Sequence, residues 1–524
     1  MATPGFGIAL LERIQGEVAE SRTGQRLTGA RLRDAVAACA HAFREAADQV
    51  PGPILLALEL SLESILAYLG ALASGRTLVP VDAKEWQQKG REMVEMLQPA
   101  VCWFPSRMAQ VRTQATGRAL HGFPTTPAAA VGEADARSGR AIGDGDDLVA
   151  GARVMVPTSG STGKPSLVRV SDANLFANTA DIVASQALTG RDKSLLCLPL
   201  NYCFGASVLH SHLWVGGSVV VDDRMIFPEK VLDALELEQC TTFAGVPTSF
   251  LFLQARSSVL KRNFPSLRLW LQAGGYLAAS VVNAFREAHP KTAFAVMYGQ
   301  TEATARIAAF IVDGEYPRGC VGYPMTSLQV EIRTEDGTVN GPGKEGDVWI
   351  RGASVCAGYY GDSEREADKF VDGWLNTGDI GHLLEDGRLC ITGRADGFIK
   401  VRGRRIGSHE IEDLIWRELG VHSCACAIPD SSSGEVIGLL LESHDRSGAR
   451  HPSGNSGHAL AGPGHDGAEG VIEADWAERV RRALPQHWDL GPVMCGELPL
   501  TSSGKINRRA CFMLLAKEGE ATCR

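Results

Sequence analysis

A run of glycine, hydroxyl and lysine residues at positions 158–164 has the composition of a loop that binds polyphosphate. It reads Thr158, Ser159, Gly160, Ser161, Thr162, Gly163 and Lys164. The glycines permit a tight turn that brings backbone N–H groups close to an anion. The hydroxyls add donors and the lysine adds a mobile positive charge. The run is not a Walker loop, because Thr158 stands where that motif needs glycine and Pro165 follows the lysine. A solvated Ser/Gly-rich linker is the alternative interpretation.

Composition excludes several classes of function. Of the 524 residues, 44% are hydrophobic and 22% are charged, and the net charge is −9, which is typical of a globular protein. Without a long basic block, nucleic acid is not an expected partner. The sequence contains no uninterrupted apolar run of about 18 residues, so no membrane span is expected. The N-terminus lacks the pattern of a secretory signal. The scattered cysteines predict buried thiols in a reducing cytoplasm. His210 and His212 lack a third metal ligand near in sequence.

The segments that must position the loop alternate between strand and helix patterns. Helical periodicity marks 27–46 and 62–75, and a short apolar run at 54–60 predicts a buried strand between them. The alternation continues from 194 to 297, which predicts an α/β fold with a mainly parallel sheet covered by helices. The loop should precede a helix that begins near Ser171 or Asp172.

The pattern changes in the last third of the chain. From about Gly319, alternating segments with glycine-rich turns predict antiparallel strands. We expect a large N-terminal ATP- and acid-binding domain of helix-flanked sheets at 1–395. A small, mobile C-terminal α+β domain is expected at 396–524. Within the latter, the Gly-, Ser- and Pro-rich segment 444–470 predicts a flexible insertion.

Four further stretches follow the loop in a fixed order. They are Met297–Glu302, Trp374–Asp379, Gly393–Glu412 and Leu500–Lys505. With the loop, this order resembles the adenylate-forming superfamily of acyl-CoA synthetases, adenylation domains and luciferases, over essentially the whole chain. Members of that superfamily join a carboxylate to the α-phosphate of ATP, release pyrophosphate and pass the acyl group to a thiol or an amine.

The resemblance implies how the phosphates are held. The loop 158–164 would contact the β- and γ-phosphates, and Thr301 the α-phosphate. Glu302 would bind Mg²⁺, which offsets charge on the phosphate oxygens. Gly299 and Gln300 belong to the same ATP-binding stretch. Taken alone, Glu302 could be an ordinary surface carboxylate; its place in the series of motifs favours the functional interpretation.

The resemblance also implies how the nucleoside is held. Tyr298 would stack on adenine, while Gly274 and Gly275 leave room for the flat ring. Asp379 would accept hydrogen bonds from both ribose hydroxyls, and Arg394 would contact ribose or phosphate. A turn aspartate is the alternative for Asp379.

Lys505 is the expected catalytic residue, together with Thr301 and Glu302. By resemblance, this lysine reaches the reacting groups from the small domain, which then swings about a hinge at Asp396. An exposed tail lysine and a plain Asp-Gly turn are the alternatives at these two positions.

Residues of an acyl pocket are also implied by the resemblance. They are Asn201, Tyr202, Phe204, Gly205, Val246 and Met297. Superfamily members that act on α-amino acids carry aspartate where this chain has Gly205. A buried ammonium without a partner would be costly, so we expect a carboxylic acid without an α-amino group. Tyr202 and Phe204 favour an aromatic or cyclic acid.

The acceptor of the acyl group is open at the level of sequence. Free CoA, a separate carrier protein and an amine all fit, since the chain stops soon after Lys505 and no carrier domain is expected in it. Transfer to a thiol is the leading hypothesis and amide synthesis is the second. A hypothesis of another class is a non-catalytic ATP-binding regulator, whose expected mark is loss of Glu302, Asp379 or Lys505; all three are present.

Overall fold

A computed structural model describes residues 4–48, 50–108, 118–121, 151–159, 165–394, 397–401, 404–430, 434–442, 468–501 and 505–522. The chain divides into two compact units. The first unit comprises Met1–Thr377 and Gly381–Ile391, and the second comprises Gly378–Ile380 and Thr392–Arg524. The predicted domain boundary at 395/396 stays a prediction.

The strands are named in chain order. They are β1 (Glu17–Glu20), β2 (Arg26–Thr28), β3 (Ile54–Leu58), β4 (Leu78–Asp82), β5 (Val101–Phe104), β6 (Arg118–His121), β7 (Val154–Ser159), β8 (Pro165–Val170), β9 (Lys193–Leu196), β10 (Ser218–Val221), β11 (Thr242–Gly245), β12 (Leu269–Gln272), β13 (Ala293–Tyr298), β14 (Ala308–Ile311), β15 (Cys320–Pro324), β16 (Leu328–Arg333), β17 (Gly346–Gly352), β18 (Tyr359–Tyr360), β19 (Phe370–Val371), β20 (Trp374–Leu383), β21 (Leu389–Arg394), β22 (Phe398–Val401), β23 (Arg404–Gly407), β24 (Ser423–Asp430), β25 (Gly434–Glu442) and β26 (Leu490–Gly496).

The α-helices are named in the same way. They are α1 (Phe6–Arg13), α2 (Gly29–Ala46), α3 (Leu62–Ser74), α4 (Arg91–Leu97), α5 (Asp172–Ser185), α6 (Cys203–Trp214), α7 (Pro228–Leu237), α8 (Pro247–Arg256), α9 (Ala279–Ala288), α10 (Ser363–Lys369), α11 (Ser408–Leu419), α12 (Ala468–Ala483) and α13 (Arg508–Thr522). None of the described helices is both long and apolar enough to cross a membrane.

The strands form three sheets within the described residues. The largest has the order β16-β17-β20-β21-β15-β14-β13-β12-β11-β9-β10-β1-β2, with β19 beside β20. The second has the order β18-β8-β7-β4-β3-β5-β6, and the third, in the second unit, has the order β23-β22-β25-β24 with β26 beside β25. In the largest sheet, β10, β9, β11, β12 and β13 run parallel. This arrangement, with helices in the chain connections, confirms the predicted α/β fold.

Local signals set the helix ends correctly. Ser61 caps α3 by accepting a hydrogen bond from the Ser64 N–H, and Gly75 ends the helix with φ +88°. Ser171 and Asn174 form a reciprocal capping box at the start of α5. The predictions of a helix that ends at Gly75 and of one that begins near Ser171 are therefore confirmed. All residues of α3 except Glu63 are buried, which matches its position in the main hydrophobic core.

Two predictions about elements need correction. A strand, β8, separates the 158–164 loop from α5, so the loop joins two antiparallel strands rather than a strand and a helix. The expected flexible insertion at 444–470 lies mainly outside the described residues, but its last three residues begin α12. The helix there extends further toward the N-terminus than the composition suggested.

His210 and His212 belong to the core of the first unit. The His210 Nε2 lies 3.1 Å from the Tyr68 hydroxyl. The two ring nitrogens of His212 lie 2.9 Å from the Val208 carbonyl oxygen and 3.0 Å from the Thr242 hydroxyl. Burial lowers the pKa of His210 to about 3 and that of His212 to about 4. Both rings are therefore neutral packing elements at physiological pH.

Mild acid should destabilise the protein through these two histidines. Their folded-state pKa values lie below the unfolded value of 6.5, so the unfolded chain binds more protons from about pH 6.5 down to about pH 4. The contribution of these histidines to stability is therefore complete above pH 6.5. As the pH falls through this window, each histidine lowers the free energy of unfolding by about 1.4 kcal/mol per pH unit. Urea unfolding measured between pH 7.5 and 5 checks the slope. His41→Gln, at an exposed site, should leave it unchanged, and a flat profile would contradict the prediction.

Candidate active site

Apart from the 158–164 loop, which belongs to the second sheet, the predicted site residues of the first unit follow strands at one edge of the largest sheet. The parallel strands β9, β11, β12 and β13 are consecutive neighbours there. Each is followed, at its carboxyl end, by one group of predicted residues: 201–205, Val246, 274–275 and 298–302. Carboxyl ends of neighbouring parallel strands meet at one edge, which is where open α/β sheets bind ligands. The topology therefore brings together segments that are up to about 100 residues apart in sequence.

The turn after β13 is compact. Thr301–Ala303 form a short 3₁₀ helix, and the Ile307 N–H donates to the Tyr298 carbonyl oxygen at 2.8 Å as the chain returns into β14. A Cβ at position 299 would overlap the carbonyl oxygen of Ala305. Only glycine fits there without a shift of the backbone, so Gly299 is required by the turn itself.

Glu302 is buried, with 8% of its surface exposed. Its Oε1 accepts a hydrogen bond of 2.6 Å from the Tyr359 hydroxyl and lies 3.6 Å from an Arg365 guanidinium nitrogen. Its Oε2 has no partner among the described residues. Burial, the Glu302 charge and this hydrogen bond all raise the pKa of Tyr359. The carboxylate is therefore oriented through one oxygen, and the other can accept a ligand. This environment excludes the alternative that Glu302 is a surface group.

The candidate phosphate loop lies at the tip of the β7–β8 hairpin. Ser159 pairs with Pro165 and Thr158 with Ser166, and the Thr158 hydroxyl donates to the Ser166 carbonyl oxygen at 3.3 Å. The central residues of the loop, 160–164, lie outside the described residues. A hairpin tip is consistent with an anion-binding turn but does not test it.

The predicted acyl-pocket residues converge on one hydrophobic cluster. Phe204, Val246 and Met297 are each 2% exposed and belong to the main core, with Tyr202 packed against it. The Thr301 hydroxyl lies 3.6 Å from the Cys203 Sγ, so the Thr301 turn contacts the start of α6. Asn201 precedes that helix and is half-buried.

Gly205 is in α6, where the backbone leaves no room for a side chain. A Cβ at this position would lie 2.9 Å from the Leu198 carbonyl oxygen and closer still to that of Pro199. Packing therefore requires glycine at position 205. An aspartate could not occupy this position without a shift of the backbone. The remaining two predicted glycines follow β12: Gly274 has φ +89°, and Gly275 accepts a hydrogen bond from Gln272 at 2.8 Å.

Arg306 was missed by the sequence analysis. It is 1% exposed, and its guanidinium lies over the Phe204 ring, 4.7 Å from the ring centre. Burial lowers its pKa to about 10, so it remains charged at neutral pH. The signal that could have found it is a single arginine within the apolar stretch 303–311, since a buried charge needs a reason.

In the second unit, the structure brings Asp379 and Arg394 together. Asp379 is 5% exposed, and an Arg394 guanidinium nitrogen lies 3.3 Å from its Oδ1. The two residues belong to β20 and β21. Their contact fits a shared role at one ligand group, although the ribose contact itself stays a prediction.

Lys505 stands in a short turn of the second unit. Its N–H donates to the Thr501 hydroxyl at 3.1 Å, the Thr501 N–H donates to the Lys505 carbonyl oxygen at 2.7 Å, and Leu500 bridges to Ile506. Three residues later, Arg508 forms hydrogen bonds of 2.6 and 2.8 Å to Glu412. Burial opposes ionisation of Glu412, but Arg508 and His409 outweigh it and hold its pKa at about 2. This ion pair anchors the start of α13, and with it the turn that carries Lys505.

One predicted site residue of the second unit lies outside the described part of the chain. Asp396, the predicted hinge, lies outside the described residues, and its neighbour Gly397 donates from its N–H to the Arg394 carbonyl oxygen at 3.0 Å. The hinge therefore stays a prediction.

Comparisons with known proteins agree on one family. The model of the AMP-binding enzyme family matches residues 11–360. An acyl-CoA ligase, SID4, from Ajellomyces capsulatus is 30% identical over 370 residues, which is 67% of this chain and 59% of that protein. A feruloyl-CoA synthase from an Amycolatopsis species is 28% identical over 287 residues, 54% of this chain and 58% of that protein. The matches thus span about three fifths of the length of these relatives.

Solved structures cover more of the chain. The amide bond synthetase McbA from Marinactinospora thermotolerans aligns with a TM-score of 0.79 and 25% identity over 97% of this chain and 99% of that one. The ATP-bound MatB from Rhodopseudomonas palustris aligns with a TM-score of 0.79 and 21% identity over 98% and 99%, respectively, which supports the fold alone. Because the family model covers residues 11–360 of the 524, the chain belongs to the AMP-binding enzyme family.

Proposed function

We propose that this chain activates a carboxylic acid without an α-amino group as an acyl-adenylate, with release of pyrophosphate from ATP, and transfers the acyl group to a thiol. One observation carries the proposal: the segments after β9, β11, β12 and β13 lie at a single sheet edge. Phe204, Val246 and Met297, the proposed lining of the acyl pocket, belong to the hydrophobic cluster beside the Tyr298–Glu302 turn. An acid and a nucleotide phosphate can therefore meet there.

The proposed reaction consists of two consecutive group transfers. In the first, one oxygen of the acid bonds to the α-phosphorus of ATP, the bond from that phosphorus to the bridging oxygen breaks, and pyrophosphate leaves. In the second, the thiol sulfur bonds to the acyl carbon, the bond from that carbon to the AMP oxygen breaks, and the thiol proton passes to solvent. The first step brings two anions together, so it requires donors and positive charge such as Thr301 and Lys505.

Glu302 fits the demands of a Mg²⁺ ligand. Mg²⁺ is usually held by one or two carboxylates together with substrate phosphates, and Glu302 offers a buried carboxylate whose Oε2 has no partner in the described part of the chain. When bound, the ion would neutralise charge on the phosphate oxygens. Tyr359 and Arg365 then serve to orient the carboxylate through its other oxygen.

The class of acid follows from the start of α6. No side chain fits at Gly205, so no carboxylate at this position can pair with a substrate ammonium. Leaving that ammonium without a partner in the apolar cluster would be costly. The aromatic rings of Tyr202 and Phe204, 6.3 Å apart, support the preference for an aromatic or cyclic acid.

Amide synthesis is the second candidate function. Its support is the alignment with the amide bond synthetase McbA at 25% identity over 97% of this chain; CoA-named solved structures align over a similar share, 96–98%, at 18–20% identity. In that case an amine nitrogen replaces the thiol sulfur in the second step. The buried free thiols, such as Cys39, Cys102 and Cys356, support a reducing location such as the cytoplasm for either activity.

The proposal is tested by mass spectrometry of products from ATP, a panel of acids without α-amino groups, and CoA or an amine. AMP and pyrophosphate should form only when a suitable acid is present, and the mass of the acyl product identifies the acceptor. Well-folded protein that releases no pyrophosphate with any acid would overturn the proposal and favour a non-catalytic nucleotide-binding role. Activation of α-amino acids alone would overturn the proposed acid class.

A further inference from the structure

Arg306 is a buried charge without an anionic partner among the described residues. Its Nε is buried and has no hydrogen-bond acceptor, and no carboxylate of the described residues pairs with the guanidinium. Breaking or omitting one partner of a buried ion pair leaves an uncompensated charge that strongly destabilises the fold. A buried charge that the described residues leave unpaired is therefore a candidate to pair with a ligand.

The backbone of Arg306 is held firmly, so its position is defined. The Asn178 side chain donates to the Arg306 carbonyl oxygen at 2.9 Å, and the Arg306 N–H donates to the Asn178 Oδ1 at 3.2 Å. The chain then enters β14, which pairs with β13 next to Tyr298. Arg306 is therefore fixed beside the Tyr298–Glu302 turn by contacts that do not involve its charge.

The charge of Arg306 lies on the acyl side of the site. Its guanidinium stacks on Phe204, a predicted acyl-pocket residue, 4.7 Å from the ring centre. A stacked aromatic ring stabilises the cation only in part. The Gln300 Nε2, in the same connection between β13 and β14, is also buried and has no acceptor among the described residues. Two donors without acceptors point to a ligand group that accepts hydrogen bonds.

We propose that Arg306 is a specificity-determining residue that pairs with a second carboxylate on the acid, so that the preferred substrate is a dicarboxylic acid. This inference rests on the proposed function and deepens it by naming the substrate class. Arginine matches a carboxylate with two parallel hydrogen bonds. An acid with a wholly apolar acyl group would bury the guanidinium further without pairing it, and would bind less well for that reason.

The test compares matched acids on the whole chain: terephthalate with benzoate, and adipate with hexanoate. For the native protein, kcat/KM for pyrophosphate release should be at least about 30-fold higher for the diacid than for its matched monoacid, in whichever pair contains the more active diacid. In Arg306→Met this ratio should fall at least about 30-fold, the loss expected when one member of a buried charge pair is removed. Arg256→Met is the matched control, because Arg256 also stacks on a phenylalanine, 4.8 Å from the Phe252 ring centre, but is exposed; the ratio should stay unchanged.

Binding provides a readout that does not need turnover. In the presence of AMP, the diacid should raise the Tm of the native protein more than the matched monoacid does, and Arg306→Met should abolish the difference. Equal preference for both acids by the native protein, or an equal loss for both acids in Arg306→Met, would overturn the inference; the latter would mean that Arg306 contacts the reacting carboxylate or the nucleotide. Pyrophosphate release with monoacids alone would overturn this inference and leave the proposed function intact. A diacid-specific Tm shift that depends on Arg306, without any pyrophosphate release, would support this inference and overturn the proposed function.

Discussion

Lys505→Ala is expected to abolish acyl-adenylate formation while leaving the second half-reaction largely intact. The proposed role of Lys505 is to donate hydrogen bonds to the carboxylate and the bridging oxygen as charge develops on them. Losing one such donor typically costs about 3 kcal/mol, or a hundredfold or more in rate. Pyrophosphate release from ATP and a good acid measures the first step. Thioester formation from synthetic acyl-AMP and CoA measures the second.

Contacts of the backbone and of neighbouring residues hold the turn that carries Lys505. The turn is held by backbone contacts to Thr501 and by the bridge between Leu500 and Ile506, and the Arg508–Glu412 pair fixes the following helix. None of these contacts needs the lysine ammonium, so the turn should persist in the variant, and a Tm measurement checks this. Lys291→Ala, at an exposed site of the first unit, is the control and should retain both half-reactions. Equal loss of both half-reactions in Lys505→Ala would contradict a role confined to adenylation.

Local chemistry in the sequence predicted much of the fold. The caps at Ser61 and Ser171 act over three residues or fewer, so they can be read from a short window. The same holds for apolar strands such as β3 and for the end of α3 at Gly75. The β8 strand was missed because it begins with a proline and carries Arg169 among its apolar residues. Its pairing with β7 and β18, which no local pattern encodes, stabilises it.

The site was predictable only as far as its motifs are contiguous. The 298–302 turn is one segment and could be identified by resemblance. Tyr359 and Glu302 are 57 residues apart, and Asn178 and Arg306 are 128 apart. Contacts at such separations depend on strand order and packing, and a single sequence carries no direct signal of them. The sequence shows a single arginine, Arg306, within an apolar stretch, but it does not show that this arginine contacts Phe204.

Glu302→Gln should lower the rate of pyrophosphate release by about a hundredfold or more and raise the Mg²⁺ concentration needed for half-maximal rate. Glutamine keeps the size of the side chain and an oxygen that can accept the Tyr359 hydrogen bond, but it removes the negative charge that the proposed Mg²⁺ site requires. Removing a group that stabilises developing charge has an effect of this size. Rates measured over a series of MgCl₂ concentrations at saturating ATP check both parts.

Tyr359→Phe separates the charge of Glu302 from its orientation. This variant removes the 2.6 Å hydrogen bond to Oε1 and leaves the carboxylate with its charge, so it should reduce the rate by only about tenfold, the lower limit expected for loss of one hydrogen bond to a charged group. Its Mg²⁺ dependence should shift less than that of Glu302→Gln. Glu287→Gln, at an exposed site, should change neither quantity. If Glu302→Gln instead lowered the Tm strongly and reduced the rate equally at every Mg²⁺ concentration, Glu302 would be a structural link between Tyr359 and Arg365, and the proposed metal site would be wrong.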